Sequence, residues 1–482
     1  MSTDVNITPT EKTNKWNLCG LGQQLIDLFD QPLVLNAALF LVMVLAAWLR
    51  FGGLNWDEGH HLHPDERFLS TVTNDLIWPE NFKDYFNPDV STLSPYSNPN
   101  MGLYVYGMLP VYIVKWVAIH LDRNNYDQIT LLGRAMSGLF DLGAIFLLFL
   151  IGKKLYGKKI GLLAAALLSF SVLNIQLSHF YTVDTFANLF ILATIYFLLR
   201  AQESGRWLDY ALTGLMFGLG LASKLSVFTL VAPILVIAAF DLYRRIQEGD
   251  IRSAIEHTLL RTLTIFIIAI VTFRILQPIA FAGPGFWNWT LNPKWTEDII
   301  EQQKITKGDT DLPWVQQWTG RSIVFPVYNI ILWGMGLPLG LAGFAGLALA
   351  AYELVRHRRL VHLIPVTYVG VTFVYHAITF IKFMRYFLPI YPFLILMAAY
   401  LIYRLWEISF VATSQTEVPT EAEPVRISFL ERTRHLLLNR QVAIGLTAVL
   451  LAGTFLYALA FTSVYRHPNT RIAASRWMQQ NI

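Results

Sequence analysis

Charge is what this sequence has least of. Only 15% of its 482 residues are Asp, Glu, Lys or Arg, against about 25% in a soluble globular domain. The shortfall runs along the whole chain, which excludes a soluble domain carried on one anchor. Cysteine is nearly absent. Cys19 stands alone, so no internal disulfide forms, and a single thiol is read as inert and not as a nucleophile. The first 31 residues are polar to amphipathic and lack a small-residue cleavage site, so no cleavable signal peptide is expected. No internal repeat is visible. Inverted repeats are common in secondary transporters, so their absence disfavours a carrier. A net charge of +4 gives no reason to expect nucleic acid as a partner.

What is present is apolar. Hydrophobic residues make up 54% of the chain and the mean hydropathy is +0.44. A hydrocarbon core takes roughly 20 apolar residues as helix, and runs near that length lie at 33–50, 131–151, 160–177, 184–200, 209–223, 225–242, 258–277, 324–351, 361–380, 385–405 and 441–463. The expectation is an all-α polytopic membrane protein with about eleven transmembrane helices. A further run, 102–121, is interrupted by Gly107, Pro110 and Lys115. If it stays on one surface, the clusters Lys153-Lys154, Lys158-Lys159, Arg244-Arg245, Arg356 with Arg358-Arg359, Arg404 and 426–440 share one side, as the positive-inside rule requires.

This topology gives a cytoplasmic tail at 1–32, a membrane domain at 33–463 and an external tail at 464–482. Two long external loops fall at 55–125 and 277–323. The cytoplasmic linker 407–440 is rich in Thr, Glu and Pro at its centre and reads as disordered. Its end, 427–439, alternates apolar residues with Arg at helical spacing and suits a helix on the inner leaflet.

The first external loop opens WDEGHHLHPDERFLSTVTNDLIW. Pro64 suits the first turn of a helix, and the helix dipole favours Asp65 and Glu66 in that turn. Phe68, Leu69, Val72 and Leu76 follow on one face, predicting a short amphipathic helix at the membrane surface. A carboxylate there that is ionised yet basic can accept a proton from a hydroxyl. The same residues would equally cap a surface helix and pair with Arg67. His60, His61 and His63, with Asp57 and Glu58, are candidate ligands for a divalent metal, although the cluster lacks helical spacing.

Ionisable groups at membrane depth are functional candidates by default. Asp184, Lys224, Arg274, Lys382 and Arg385 all emerge, by the topology above, on the side of Asp65. Carboxylates facing several cations on one side suit a phosphate-bearing lipid. Arg274 and Lys382 are expected to snorkel to headgroups, while Lys224 and Arg385 suit a packed interior. Asp141 is expected to pair with Arg134, seven residues earlier on the same helix. The aromatic residues of 277–323, Trp289 among them, read first as an interface belt and second as a platform for sugar rings.

With these motifs in order, the chain resembles the GT-C glycosyltransferases, in the branch of protein O-mannosyltransferases and bacterial aminoarabinose transferases. The run His63-Pro64-Asp65-Glu66-Arg67-Phe68 looks like that family's Asp-Glu motif. Residues 176–184 (QLSHFYTVD) are similar to its Ser-Arg…Asp segment, with His179 where relatives carry Arg. Residues 218–224 resemble its Gly-Leu…Ser/Thr-Lys element, 385–389 (RYFLP) its Arg-Tyr…Pro element, and 98–104 its Pro-rich segment. The resemblance implies a GT-C fold and a phospholipid carrier-dependent glycosyltransferase at the plasma or inner membrane, with its site on the periplasmic face. A polyprenyl-phosphate-linked sugar would be the donor, and a hydroxyl on protein, lipid or glycan the acceptor. Asp65 would act as base, and Glu66 would be catalytic with it by positioning donor or acceptor. Lys224, Arg385, Asp184 and Tyr386 would hold donor and phosphate, and His63, His179 and Trp289 would touch substrate. Relatives often continue into a soluble external domain, which 464–482 would begin. The competing reading is a transporter or flippase of lipid-linked sugars or solutes.

Overall fold

The computed structural model describes residues 28–98, 102–415 and 440–482. Cys19, the linker centre, the 427–439 helix and part of the 98–104 segment lie outside the described residues. The regular structure of the described residues is helical, apart from an isolated bridge between Phe281 and Leu291.

Nine described helices are long and apolar enough to span a bilayer, and ten if one bent pair is a single span. The first is α1 (Pro32–Phe51). The long loop that follows carries α2 (Pro64–Asp75) and α3 (Met108–His120). The membrane bundle continues with α4 (Tyr126–Tyr156), the bent pair α5 (Lys158–Ser169) and α6 (Val172–Ser178), α7 (Asp184–Ser204) and α8 (Trp207–Leu221). Next come α9 (Val231–Glu248) and α10 (Ile251–Leu276), and then α11 (Pro293–Lys307) in the second long loop. The last spans are α12 (Leu337–Arg356), α13 (Leu363–Ala377), α14 (Tyr391–Gln415) and α15 (Arg440–Thr462), followed by the terminal α16 (Thr470–Asn481).

Every apolar run picked out in the sequence is helical, but eleven full spans do not result. The run at 209–223 forms only the 15-residue α8, because the chain turns out of the helix to present Lys224. The run at 160–177 breaks by 59° between α5 and α6. The run at 324–351 divides into a short segment, 325–334, and α12.

The break between α5 and α6 leaves end carbonyls without helical partners. Arg50, at the end of α1, supplies them: its guanidinium donates to the Ser169 carbonyl and to that of Leu168 at 3.2 Å. Arg50 is fully buried and is neutralised by Asp141 at 2.9 Å, whose other oxygen accepts from Asn174 at 2.8 Å. The expected Arg134–Asp141 pair is therefore absent. Seven residues of helix separate two groups by about 10.5 Å along the axis, and each finds a nearer partner on another element.

Two glycines let connecting segments settle closely on the bundle. A Cβ at Gly107 would stand 2.0 Å from the Ala222 carbonyl oxygen. This contact allows Gly107 and Leu109 to donate backbone hydrogen bonds to Ser223 and Ala222. The start of α3 is thus bonded to the turn that carries Lys224. At Gly133 on α4, a Cβ would lie 2.2 Å from the Tyr181 ring, so the segment before α7 lies flush on α4.

Candidate functional site

The ends of α1, α6 and α8 and the starts of α4, α7 and α14 meet at one end of the bundle, under the loop that carries α2. Pro64 opens α2, and the imidazole of His63 caps it, its Nδ1 accepting from the Glu66 N–H at 3.2 Å. Asp65 and Glu66 follow in the first turn and point to different partners.

Glu66 turns inward and is fully buried. Both of its oxygens accept from Arg134 at 2.7 Å, and Oε1 also accepts from the Tyr181 N–H at 2.9 Å. The same guanidinium holds Asp57 through two bonds of 3.0 and 2.8 Å and donates to the Leu54 carbonyl at 2.6 Å. Planar two-pronged pairing of this kind is specific to Arg. Burial alone would raise the Asp57 carboxyl; the Arg134 guanidinium and the Leu62 N–H outweigh it and hold the group below the usual carboxylate range.

Asp65 faces the opening, with its side chain 24% exposed, and forms an ion pair with Arg385, from the turn before α14. Beside it, Asp184 at the start of α7 accepts from Lys224 Nζ at 2.6 Å. Tyr386 joins the two pairs: Lys224 Nζ lies 5.1 Å from its ring centre and the Arg385 guanidinium carbon 5.8 Å. Asp65, Asp184, Lys224, Arg385 and Tyr386 therefore come together from four separate elements. The imidazole of His63 lies close enough for the Arg385 charge to act on it. Burial first, and then Arg385, push His63 down to about 4, against the opposing pull of Asp184.

The three loop histidines do not converge. His60 bonds the Asp57 carbonyl, His61 lies 2.7 Å from Asp127 and 3.2 Å from Thr130, and His63 caps α2 while stacking on Phe180. Among the described residues no group of three or more His, Cys, Asp or Glu is arranged to hold a metal ion.

His179 is fully buried. Its ring stacks on Tyr465 at 3.7 Å, and its two nitrogens face the carbonyls of Ile175 and Gly52. That makes it a brace between α6, the end of α1 and the C-terminal segment. Trp289 packs on Phe281 and Phe286. With Phe86 these rings surround Arg274, whose guanidinium lies 4.7–5.9 Å from all four centres. The carbonyls of Gly285, Phe286 and Asn288 also accept from Arg274, which is fully buried. Arg274 thus does not snorkel, because the loop after α10 folds back over it. Lys382 does not snorkel either; it is 7% exposed and donates to the Thr379 carbonyl.

Sequence reasoning missed Arg134 and Arg50 as organisers. The only signal was general: a guanidinium in an apolar helix must find a counter-charge or carbonyl oxygens, which does not say which ones.

The fold that carries this arrangement is similar to that of known membrane glycosyltransferases. Residues 124–274, which include Arg134, Asp184 and Lys224, match the family model described as dolichyl-phosphate-mannose-protein mannosyltransferase. The apo oligosaccharyltransferase of Archaeoglobus fulgidus superposes with a TM-score of 0.58 at 14% identity, over 93% of this chain and 58% of that one. The same protein, AglB, in complex with an inhibitory peptide and a dolichol-phosphate gives 0.56 at 14% identity, over 94% and 58%. ArnT from Cupriavidus metallidurans bound to undecaprenyl phosphate gives 0.52 at 14% identity, over 90% and 75%. No curated protein sequence matches. The chain is a multi-pass membrane protein with the GT-C fold of these glycosyltransferases, and it spans less than two thirds of the length of the archaeal enzyme.

Proposed function

We propose that this protein transfers a sugar from a polyprenyl-phosphate carrier to a hydroxyl acceptor, on the external face of the plasma or inner membrane. The observation that carries the reading is the pair of carboxylate–cation contacts, Asp65–Arg385 and Asp184–Lys224, set side by side around Tyr386. In a single inverting displacement the acceptor oxygen attacks the anomeric carbon and the bond from that carbon to the phosphate oxygen breaks. The electron pair leaves with the lipid phosphate and the acceptor proton passes to Asp65. Arg385 and Lys224 take up the charge on the departing phosphate, a contribution that is often the largest in catalysis. Asp184 steers Lys224.

The contacts also suggest an order of binding. A carboxylate held by a guanidinium is a weak base. A donor phosphate competing for Arg385 releases Asp65, so the base is strengthened when the donor arrives. Glu66, committed to Arg134 and the Tyr181 N–H, positions α2 and takes no part in proton transfer.

The transporter reading requires charged groups usable from both faces. At the opposite end of the bundle Glu353 is bound by His362, Tyr400, Arg359 and Arg404, which leaves it little capacity for a passing solute.

The deciding experiment incubates the purified protein with mannosyl-, glucosyl- and aminoarabinosyl-undecaprenyl phosphate, together with peptide, lipid and saccharide hydroxyl acceptors, and follows release of undecaprenyl phosphate. Release that requires Asp65 supports the reading, and intact donors throughout would overturn it. Cysteine labelling should place positions near Asn81 and Lys304 outside and those near Lys158, Arg245 and Arg358 inside.

A further inference from the structure

Next to the ion pairs lies a groove of about 350 Å³, within the range of small-ligand sites. One wall is apolar and aromatic, formed by Trp56, Leu62, His63 and Phe180; the facing wall is polar, formed by Thr470 and Arg471 at the start of α16. Pro64 also lines it, so the groove meets α2 one residue before Asp65. The C-terminal segment is held over the loop by the ion pair of Arg476 with Glu58 and by the stacking of Tyr465 on His179.

We propose that this groove binds the acceptor, that the acceptor is a carbohydrate, and that His63 Nε2–H orients its hydroxyl towards Asp65. The inference rests on the transferase reading above and adds the class of acceptor.

Three observations carry it. First, the walls differ in kind. A sugar ring presents a C–H face that packs on aromatic rings and a rim of hydroxyls that hydrogen-bonds, and the groove offers one wall for each. The side chains of a short Ala- and Thr-containing peptide present no comparable ring face to the aromatic wall.

Second, the helix cap fixes the tautomer of His63. Because Nδ1 accepts from the Glu66 N–H, a neutral ring carries its proton on Nε2. Burial and Arg385 keep the ring neutral at ordinary pH, with its pKa pushed down to about 4, so Nε2 is a donor there and cannot act as the base.

Third, a hydroxyl whose lone pair accepts from Nε2–H has its own proton left to donate. Pro64 joins the groove lining to Asp65 in the chain, so a hydroxyl held there lies beside the turn that carries the carboxylate. His63 neither gains nor loses a proton in the reaction.

Binding can be read without any donor, so a failure of sugar transfer and a failure of this inference are separate results. The full chain in nanodiscs would be titrated by saturation-transfer NMR. The probes are methyl glycosides and β-linked disaccharides of glucose, galactose, mannose and N-acetylglucosamine, with acetyl-Ala-Thr-Ala-amide as the peptide. At least one saccharide should bind, Leu62→Trp should abolish its signal by filling the groove, and the peptide should give none. Asn is among the best capping residues, so His63→Asn keeps the bond to Glu66 N–H but loses the distal donor. Its thermal midpoint should match wild type while the saccharide Kd rises up to about tenfold, the value of one hydrogen bond. A peptide signal without a saccharide signal would overturn the carbohydrate assignment. Silence from every saccharide, or saccharide binding that ignores Leu62→Trp, would overturn the site. An unchanged Kd in His63→Asn would return His63 to a capping role.

Discussion

Asp65 and Arg385 lie 320 positions apart in the chain and form an ion pair at the mouth of the bundle. One residue sits in the first turn of α2 and the other in the turn before α14. The pairing gives a sharp expectation for the base. On the proposed mechanism Asp65→Asn removes the proton acceptor, and loss of a general base costs about 10²–10⁴-fold in rate. Transfer should nearly vanish. Donor binding should hold or tighten, because Arg385 no longer divides its charge with a carboxylate. Turnover and lipid-phosphate Kd, measured on the same preparation, check both; a weaker Kd would mean that Asp65 itself contacts the donor.

Removing the cations should behave in the opposite way. Phosphate is charged in ground and transition states alike, so Arg385→Ala and Lys224→Ala should weaken donor binding and lower turnover together. Arg385→Lys should recover only part, since an ammonium cannot reproduce the planar fork. Undecaprenyl phosphate titrations supply the measurement.

Arg134 holds two buried carboxylates, and breaking a buried pair by deleting one partner typically costs about 3–5 kcal/mol. Arg134→Met should therefore leave little folded protein in detergent. Glu66→Gln keeps hydrogen-bonding capacity and should fold, with a modest loss of thermal stability and a drop in kcat as α2 and Asp65 loosen. Equal thermal stability and full activity in Glu66→Gln would remove Glu66 from its positioning role.

Acid should destabilise the protein through His63. Its folded pKa, about 4, lies below the ordinary 6.5, so between those values the unfolded chain binds a proton that the folded chain refuses. The contribution to stability is intact above about pH 6.5 and is lost as pH falls towards 4. The thermal midpoint should fall across that window, and by less in His63→Asn. An equal fall in both proteins would assign the acid sensitivity to other groups.

Much of this was legible in the sequence because it depends on order along the chain. Alternating spans bring the ends that carry Asp184, Lys224 and Arg385 to the side of Asp65, whatever the packing details. The partners of Arg134 and Asp141 were not legible. Helical periodicity compares residues within one helix, while a buried charge pairs with whatever tertiary neighbour reaches it first. Arg50 was overlooked because its task, closing the carbonyls at a helix break, exists only once the break is known. Arg274 was misjudged for a related reason: a cation at a span terminus suits headgroups, and nothing local announces that the following loop will curl back over it.

That loop has a consequence of its own. The guanidinium of Arg274 is gripped by four rings and three carbonyl oxygens, none of which ionises under physiological conditions, and among the described residues no carboxylate pairs with it. An anchorage made this way has no counter-ion for salt to screen and no acid for a falling pH to neutralise. The segment after α10 should accordingly hold its place in brine and in acid alike, as a fixed rim at the same end of the bundle as the ion pairs of Asp65 and Asp184.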